Sequence, residues 1–139
     1  MRSRIDEAID SFDRAMAINP DHPAQPWNKA HCLLLLGDFA RGLPLYEWRW
    51  KQDQVARFKR EYSQPLWRGQ DSLAGKTILL YAEQGLGDMI QFCRYASCVA
   101  TLGARVVLEA PAPLVPVLSS LQGVAQVVAQ GDATPPFDL

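Results

Sequence analysis

Residues 73–96 read LAGKTILLYAEQGLGDMIQFCRYA, and this stretch decides the fold of the second half of the chain. The apolar run at 77–81 is short, continuous and bounded by glycines, which is typical of a strand buried on both faces of a parallel sheet. A glycine turn at 85–88 follows it, and apolar residues at helical spacing then extend over 89–102, where Gly103 closes the pattern. The stretch predicts a strand, a tight turn and a helix, in that order.

The same alternation continues toward the end of the chain. Residues 104–109 predict a second strand, 114–121 a helix opened by prolines, and 124–128 a third strand. Strands that alternate with helices form right-handed βαβ units and a parallel sheet. We therefore expect an incomplete, Rossmann-like parallel βαβ sheet over residues 77–139, with 137–139 as the approach to a fourth strand.

The first third of the chain carries a helical repeat. Its apolar stripe has the spacing of one amphipathic helix and consists of Ile5, Ala8, Ile9, Phe12, Ala15 and Met16. The segment 19–23 stops this helix, a second helix is expected at 25–36, and Asp38 is expected to cap a third. The stripe recurs 34 residues later, at Phe39, Gly42, Leu43, Tyr46 and Trp50. This period resembles that of tetratricopeptide repeats.

The second copy of the repeat is imperfect. Pro44 removes a backbone donor inside the third helix and should kink it, and Arg49 stands where the repeat would place a small residue. We interpret residues 1–52 as the C-terminal end of a tetratricopeptide array whose first repeat is incomplete. Arrays of this kind present extended concave binding surfaces, so a protein partner of these helices is one open alternative.

Aromatic and basic residues alternate around the linker predicted at 53–76. Aromatic rings beside cations could stack nucleic-acid bases, but no RNA-binding pattern accompanies them and the net charge of the chain is −1. We expect no nucleic-acid partner, and we expect the arginines to lie over the rings. An acidic or phosphorylated ligand at Arg57, Lys59 and Arg60 stays open.

The composition favours a soluble globular chain, since 48% of the residues are hydrophobic and 21% are charged. The longest aliphatic run, 33–36, is too short to cross a bilayer, and the N-terminus lacks a signal-peptide core. We therefore predict a cytoplasmic location and no membrane span. Cys32, Cys93 and Cys98 lack the spacing of a metal site, so free thiols, no metal and no cofactor are expected.

The residues alone leave the role of the turn at 85–88 open. The glycine pair after a strand, with Glu109 where a ribose-binding acid is expected, is similar to a dinucleotide fingerprint. However, Ile90 stands at the third glycine position, and Asp88 would compete with a pyrophosphate for the helix N-terminus. A purely structural turn, with positive φ at the glycines and Asp88 as the helix cap, explains the same residues.

A third interpretation comes from the linear order of the segments, which are GDFARGLPLYEWRW, PLWRG, the stretch at 73–96 and GARVVLEA. This order resembles bacterial proteins that fuse tetratricopeptide repeats to a glycosyltransferase. Their catalytic part is similar to the heptosyltransferases and, more distantly, to protein O-linked N-acetylglucosamine transferases. The resemblance implies a B-type fold with two Rossmann-like domains and an inverting transfer from a nucleotide sugar to an acceptor hydroxyl.

The resemblance also implies roles for particular residues. Asp88 would be the base that takes the proton of the acceptor hydroxyl. The implied acceptor-binding residues are Gln84, Gly85, Leu86, Gly87, Gln91 and Arg94. The nucleotide sugar would be held mainly by a second domain, so we expect this chain to be an N-terminal fragment, truncated at both ends and inactive alone. The alternative is a protein-interaction module with a non-catalytic α/β support.

Overall fold

A computed structural model describes residues 2–83 and 85–139, with side chains from Arg4 onward. It contains two compact units, which meet in the sequence between Lys59 and Arg60. The described residues form seven α-helices and one three-stranded parallel sheet, which confirms the expected mixture of helical and α/β structure. The boundary falls inside the linker predicted at 53–76, so its first seven residues belong to the helical unit.

The first unit is helical throughout its regular structure. Its elements are α1 (Arg2–Ile18), α2 (Ala24–Leu35), α3 (Phe39–Tyr46), a 3-10 turn (Glu47–Lys51) and α4 (Asp53–Ala56). Helix α2 packs between α1 and α3 and buries Ala30 and Leu33 completely. Gly42 of α3 lies against α2, where an added Cβ would stand 2.8 Å from Leu34 Cδ2. Gly42 therefore lets α3 approach α2 closely, and a larger residue there would require the Leu34 side chain to move.

Helix α3 contains Pro44 and gives way to the 3-10 turn after Tyr46. Because proline has no N–H, the preceding turn of the helix lacks one hydrogen bond, and the change of helix type follows two residues later. Arg49 in the 3-10 turn is only 8% exposed. Its guanidinium lies 4.7 Å from the Tyr46 ring centroid and 4.2 Å from that of Trp50. We predicted that arginines lie over aromatic rings in this part of the chain, and Arg49 does so.

The second unit alternates strands and helices. Its elements are β1 (Thr77–Tyr81), α5 (Leu86–Phe92), α6 (Tyr95–Thr101), β2 (Arg105–Ala110), a 3-10 turn (Ala112–Leu114), α7 (Val115–Leu118) and β3 (Val124–Ala129). The strands are parallel in the order β1-β2-β3, with Thr77 opposite Arg105 and Val106 opposite Val124. Strand β3 therefore forms one edge of the sheet.

Two predicted helices differ from the observed ones. The helix expected at 89–102 is split into α5 and α6 at Cys93 and Arg94. Both residues keep right-handed helical angles, but the Ala96 N–H bonds to the Cys93 carbonyl three residues back, so the break is a local tightening. The helix expected at 114–121 is observed as a 3-10 turn followed by the four residues of α7. Pro113 and Pro116 lie in the first turns of these elements, where proline is tolerated, and after α7 the Leu121 N–H bonds to the Leu118 carbonyl three residues back, so the helix ends in a tightened turn.

The two faces of the sheet bury different partners. Helices α5, α6 and α7 cover one face of the sheet. The strands contribute four buried residues to this layer, and the segments that cover them contribute four more: Ile78, Val106, Leu108 and Ala110, then Met89, Ala96, Leu114 and Leu118. On the other face, Leu79, Val107 and Val128 pack with Phe137 of the C-terminal segment. Successive side chains of a strand point to opposite faces of the sheet. A continuous apolar run therefore packs against the helices on one face and against the C-terminal segment on the other.

The last two residues bond to the free edge of β1, on the side away from β2. The Leu139 N–H donates to the Thr77 carbonyl at 3.3 Å, and the Leu139 carbonyl accepts from the Leu79 N–H at 2.8 Å, while the Asp138 N–H also donates to the Thr77 carbonyl at 2.8 Å. In a parallel pair, one residue bonds to the two residues on either side of its partner, as Leu139 does here around Ile78. The chain thus passes from β3 to the opposite side of β1, as expected for the approach to a fourth strand.

Gly123 and Gly131 provide a matched pair of substitutions. Both have positive φ, at 85° and 97°, but an added Cβ meets the Ser97 Cα at 3.0 Å only at Gly123 and meets nothing within 4 Å at Gly131. We expect Gly131→Ala to cost about 1–2 kcal/mol, from the left-handed backbone alone. Gly123→Ala should cost about 1–3 kcal/mol more, because the α6 backbone must also move. Urea unfolding followed by circular dichroism measures both, and equal losses would contradict the packing argument.

Asp38 generates a pH-dependent prediction for the helical unit. Its carboxylate accepts hydrogen bonds from the Arg41 guanidinium and, at 3.1 Å, from the Arg41 N–H, and these bonds hold the pKa of Asp38 below its ordinary value. A carboxyl with a lowered folded pKa stabilises the fold above its unfolded pKa and loses that effect as pH falls through the folded pKa. Asp38→Ala should therefore lower Tm at pH 7, and the deficit should shrink below about pH 4. Asp21→Ala, in an exposed turn, is the control.

Candidate functional site

The segment between β1 and α5 lies at the carboxyl edge of the sheet. In open parallel α/β sheets, ligands bind outside this edge, at the point where the strand order reverses direction. Here the order runs from β1 to β3 and then returns to residues 138–139 on the far side of β1. The reversal therefore lies beside the end of β1, which leads directly into the turn at 85–88.

Asp88 lies in the first turn of α5 and is exposed. The N-cap residue of this helix is Gly85, so the interpretation of Asp88 as the cap does not describe its position. No hydrogen bond or ion pair joins the Asp88 carboxylate to another described residue. The first turn of a helix is a favourable place for a negatively charged side chain, and the oxygens of this carboxylate are open to solvent.

Gly85 and Gly87 have no conformational need to be glycine. Neither has the positive φ that the structural interpretation of this turn requires, since Gly85 has φ −64° and ψ 166° and Gly87 is helical. An added Cβ at either position meets no atom within 4 Å. Glycine inside a helix costs about 0.5–1 kcal/mol relative to alanine. Gly87 therefore lowers the stability of α5 without an intramolecular gain, whereas Gly85 occupies the N-cap, a position where glycine is favoured over alanine.

The other predicted acceptor residues divide into two groups. Leu86 and Gln91 are exposed on α5, and Gln91 lies one helical turn from Asp88, so the two polar side chains share a face. Arg94 lies beyond the end of α5, and its guanidinium stands 5.1 Å from the Tyr95 ring centroid. The structure therefore places Gln91, but not Arg94, on the same helix face as Asp88. Gln84 lies outside the described residues.

A second polar cluster at the same sheet edge is centred on Arg60 and was not predicted. The Arg60 Nη1 donates to Glu109 Oε2 at 2.6 Å and to the Tyr62 hydroxyl at 3.1 Å, and it lies 2.5 Å from Glu109 Oε1. The guanidinium also lies over the Tyr81 ring, 5.0 Å from its centroid. Glu109 is only 3% exposed. Tyr81 and Glu109 are paired across β1 and β2, so Arg60 bridges the ends of two neighbouring strands.

Charge compensation explains the Arg60 cluster. Burial alone would lower the pKa of Arg60, but the hydrogen bonds to Tyr62 and Glu109 outweigh it and raise the pKa above its ordinary value. The Arg60 guanidinium therefore stays charged at neutral pH beside the buried Glu109 side chain. The Glu109 carboxylate is already engaged by a guanidinium, and a ribose could bind it only by displacing Arg60. A buried acid at the end of an apolar strand was the one sequence signal for this pair, because such a group requires a cation.

Aromatic contacts extend the cluster toward the C-terminal segment. The Tyr62 ring meets the Tyr81 ring edge to face with centroids 6.0 Å apart, and it meets the Phe137 ring in the same way at 5.2 Å. Edge-to-face pairs of this kind add about 0.5–1.5 kcal/mol to the burial of the rings. Residues 60–62 are thereby attached to both the strand ends and the C-terminal segment.

Metal and membrane sites are not found in the part of the chain that the structure describes. There, no group of three histidine, cysteine or acidic side chains could hold a metal ion. No helix among residues 2–83 and 85–139 has both the length and the apolar character needed to cross a bilayer. The three cysteines are free, but the burial expected of such thiols is not found, since Cys32 and Cys93 are half-buried and Cys98 is exposed.

Comparisons of this chain with models of protein families, with curated proteins and with solved structures find no match.

Arg60 and Glu109 generate a stability prediction. Arg60→Met leaves a buried carboxylate without its partner and should lower the free energy of unfolding by about 3–5 kcal/mol. The double substitution Arg60→Met/Glu109→Leu removes both charges and should recover most of that loss. Arg105→Met, at the exposed start of β2, removes the same charge as a control and should stay within about 0.5 kcal/mol. Urea unfolding of the four proteins checks this, and a stable Arg60→Met variant would contradict it.

Proposed function

We propose that the second unit is the acceptor-binding part of a glycosyltransferase that uses a nucleotide sugar, and that the turn at 85–88 receives the acceptor hydroxyl. The observation that carries the proposal is Gly87, a helical glycine next to Asp88 that has no positive φ and where an added Cβ would meet no atom within 4 Å. Glycine without a backbone or packing need is typical of a place where a ligand approaches the main chain closely. The position at the reversal of strand order supports the same conclusion.

Asp88 has the properties that an inverting transfer requires of its carboxylate. The acceptor oxygen attacks the anomeric carbon, its proton passes to a carboxylate oxygen, and the nucleoside diphosphate leaves with the electron pair of the broken glycosidic bond. The exposed carboxylate oxygens can also accept a hydrogen bond from the hydroxyl before the proton moves. Asp88 is therefore expected to hold and orient the hydroxyl as well as to accept its proton. Gln91, one turn further along, is placed to bind a neighbouring hydroxyl.

The donor half of the reaction is assigned by resemblance. The parallel order of β1, β2 and β3 with residues 138–139 beside β1 supports a Rossmann-like domain. In the family that the sequence resembles, a second such domain holds most of the nucleotide sugar. The acceptor is a protein or a glycan. The helices of the first unit, with their 34-residue repeat, are proposed to be of the tetratricopeptide type and to bind a protein partner.

The dinucleotide alternative has less support. Its ribose-binding acid would be Glu109, which is buried and paired with Arg60. Its pyrophosphate would have to approach the helix end where Asp88 already supplies a negative charge. A sugar hydroxyl has neither difficulty, since it is neutral and donates to a carboxylate.

Asp88→Asn tests the role of the carboxylate in the complete gene product. Asparagine keeps the size and polarity but cannot accept the proton, so the transfer rate should fall by a factor of about 10²–10⁴ while Tm changes by only a few degrees. Asp132→Asn, in the exposed turn after β3, is the control. Radiolabelled sugar transfer measures the rate. If the Asp88→Asn variant transferred sugar as fast as the wild type, Asp88 would have only a structural role.

Gly87→Ala separates stability from binding. Alanine in the first turn of α5 should raise the free energy of unfolding by about 0.5–1 kcal/mol, because the helix no longer contains an unneeded glycine. The same methyl group should raise the KM for the acceptor, because it occupies the space next to the main chain. Gly131→Ala, at an exposed glycine elsewhere in the unit, is the control for the assay. An alanine variant that is more stable and equally active would overturn the proposed site.

A further inference from the structure

We propose that Arg60 is a positioning residue of the candidate site, which acts through Glu109 and Tyr81 to hold the turn at 85–88 in place. The proposal rests on the function proposed above for that turn. Arg60 is not in the turn and has no assigned part in the reaction. We call the group of Arg60, Tyr62, Tyr81 and Glu109 the Arg60 clamp.

The clamp fixes the position from which the turn starts. Tyr81 is the last residue of β1, and three residues separate it from Gly85. The Arg60 guanidinium lies over the Tyr81 ring and bonds to Glu109, the register partner of Tyr81 on β2. A single planar cation therefore ties the ends of both strands together at the edge where the turn begins. Lysine could not make the same set of contacts, because it lacks the planar fork of donors.

The turn itself has few contacts that would hold it. Gly85 and Gly87 have no side chains, and Leu86 is 46% exposed. The first ordered attachment of α5 to the core is Met89, which is buried against Leu108 and the α7 residues. Residues 85–88 therefore lie between two anchors, Met89 on one side and Tyr81 on the other. Residues 85–88 are the N-cap and first turn of α5, so loss of the Tyr81 anchor should loosen this end of the helix while the part from Met89 onward stays in place.

The first experiment measures order in the turn directly by NMR relaxation of this chain. The probe residues are the amides of residues 85–88, and the variants are wild type, Arg60→Met, Arg60→Met/Glu109→Leu and Arg105→Met. In the wild type and Arg105→Met the order parameters should be near 0.85, as in rigid backbone, and in both Arg60 variants they should fall below about 0.6. The double variant removes the buried unpaired charge, so it tests the turn in a folded protein.

The second experiment uses the complete gene product. At saturating substrates, the double variant should reduce kcat about tenfold while the KM for the nucleotide sugar stays unchanged, because the donor is held elsewhere. Arg105→Met should leave both values unchanged. A purely structural role would lower the amount of active protein and the order of all strands alike, not the order of the turn alone.

The outcomes separate the two proposals. Order parameters of residues 85–88 that stay unchanged in the double variant overturn the positioning role, and so does a disordered turn with an unchanged kcat. If the wild-type gene product transfers no sugar, the proposed function fails, and the relaxation data alone then decide whether the clamp orders the turn. A selective loss of order in the turn together with a lower kcat supports both.

Discussion

The buried carboxylate of Glu109 is the constraint on which the second unit depends. A carboxylate 3% exposed at the end of an apolar strand costs several kcal/mol unless a cation neutralises it. Arg60 supplies that cation from the other end of the unit's sequence, 49 residues away. The pairing brings Tyr62 against Tyr81 and Phe137 and so joins the start of the unit, the ends of two strands and the C-terminal segment. One electrostatic requirement therefore organises the whole carboxyl edge of the sheet.

Most of the regular structure follows from local patterns in the sequence. The three strands lie within one or two residues of their predicted positions because short apolar runs between glycines have few other solutions. The split of the helix after β1 could not be predicted, since Cys93 and Arg94 keep helical angles and carry no breaking residue. The Arg60 pair was missed for a different reason, because sequence patterns describe neighbours and these two side chains meet only in the folded chain.

The candidate site shows the same division between local and long-range information. The position of Asp88 after a strand and a glycine turn could be predicted from the residues. The absence of positive φ at Gly85 and Gly87 could not be predicted, because glycine adopts positive and negative φ about equally. That absence removes positive φ as the reason for the two glycines. The reversal of strand order, seen from the hydrogen bonds of the last two residues, places this turn at the edge where open α/β sheets bind ligands.

The edge position of β3 has a consequence for the molecule in solution. Its sequence VAQVVA carries no charge and no proline, and within the described residues its outer N–H and C=O groups face away from any partner strand. Such an edge accepts further strands, and repeated addition produces the stacked cross-β arrangement of fibrils. Concentrated preparations are therefore expected to become turbid faster than dilute ones, and Gln126→Lys is expected to slow this growth.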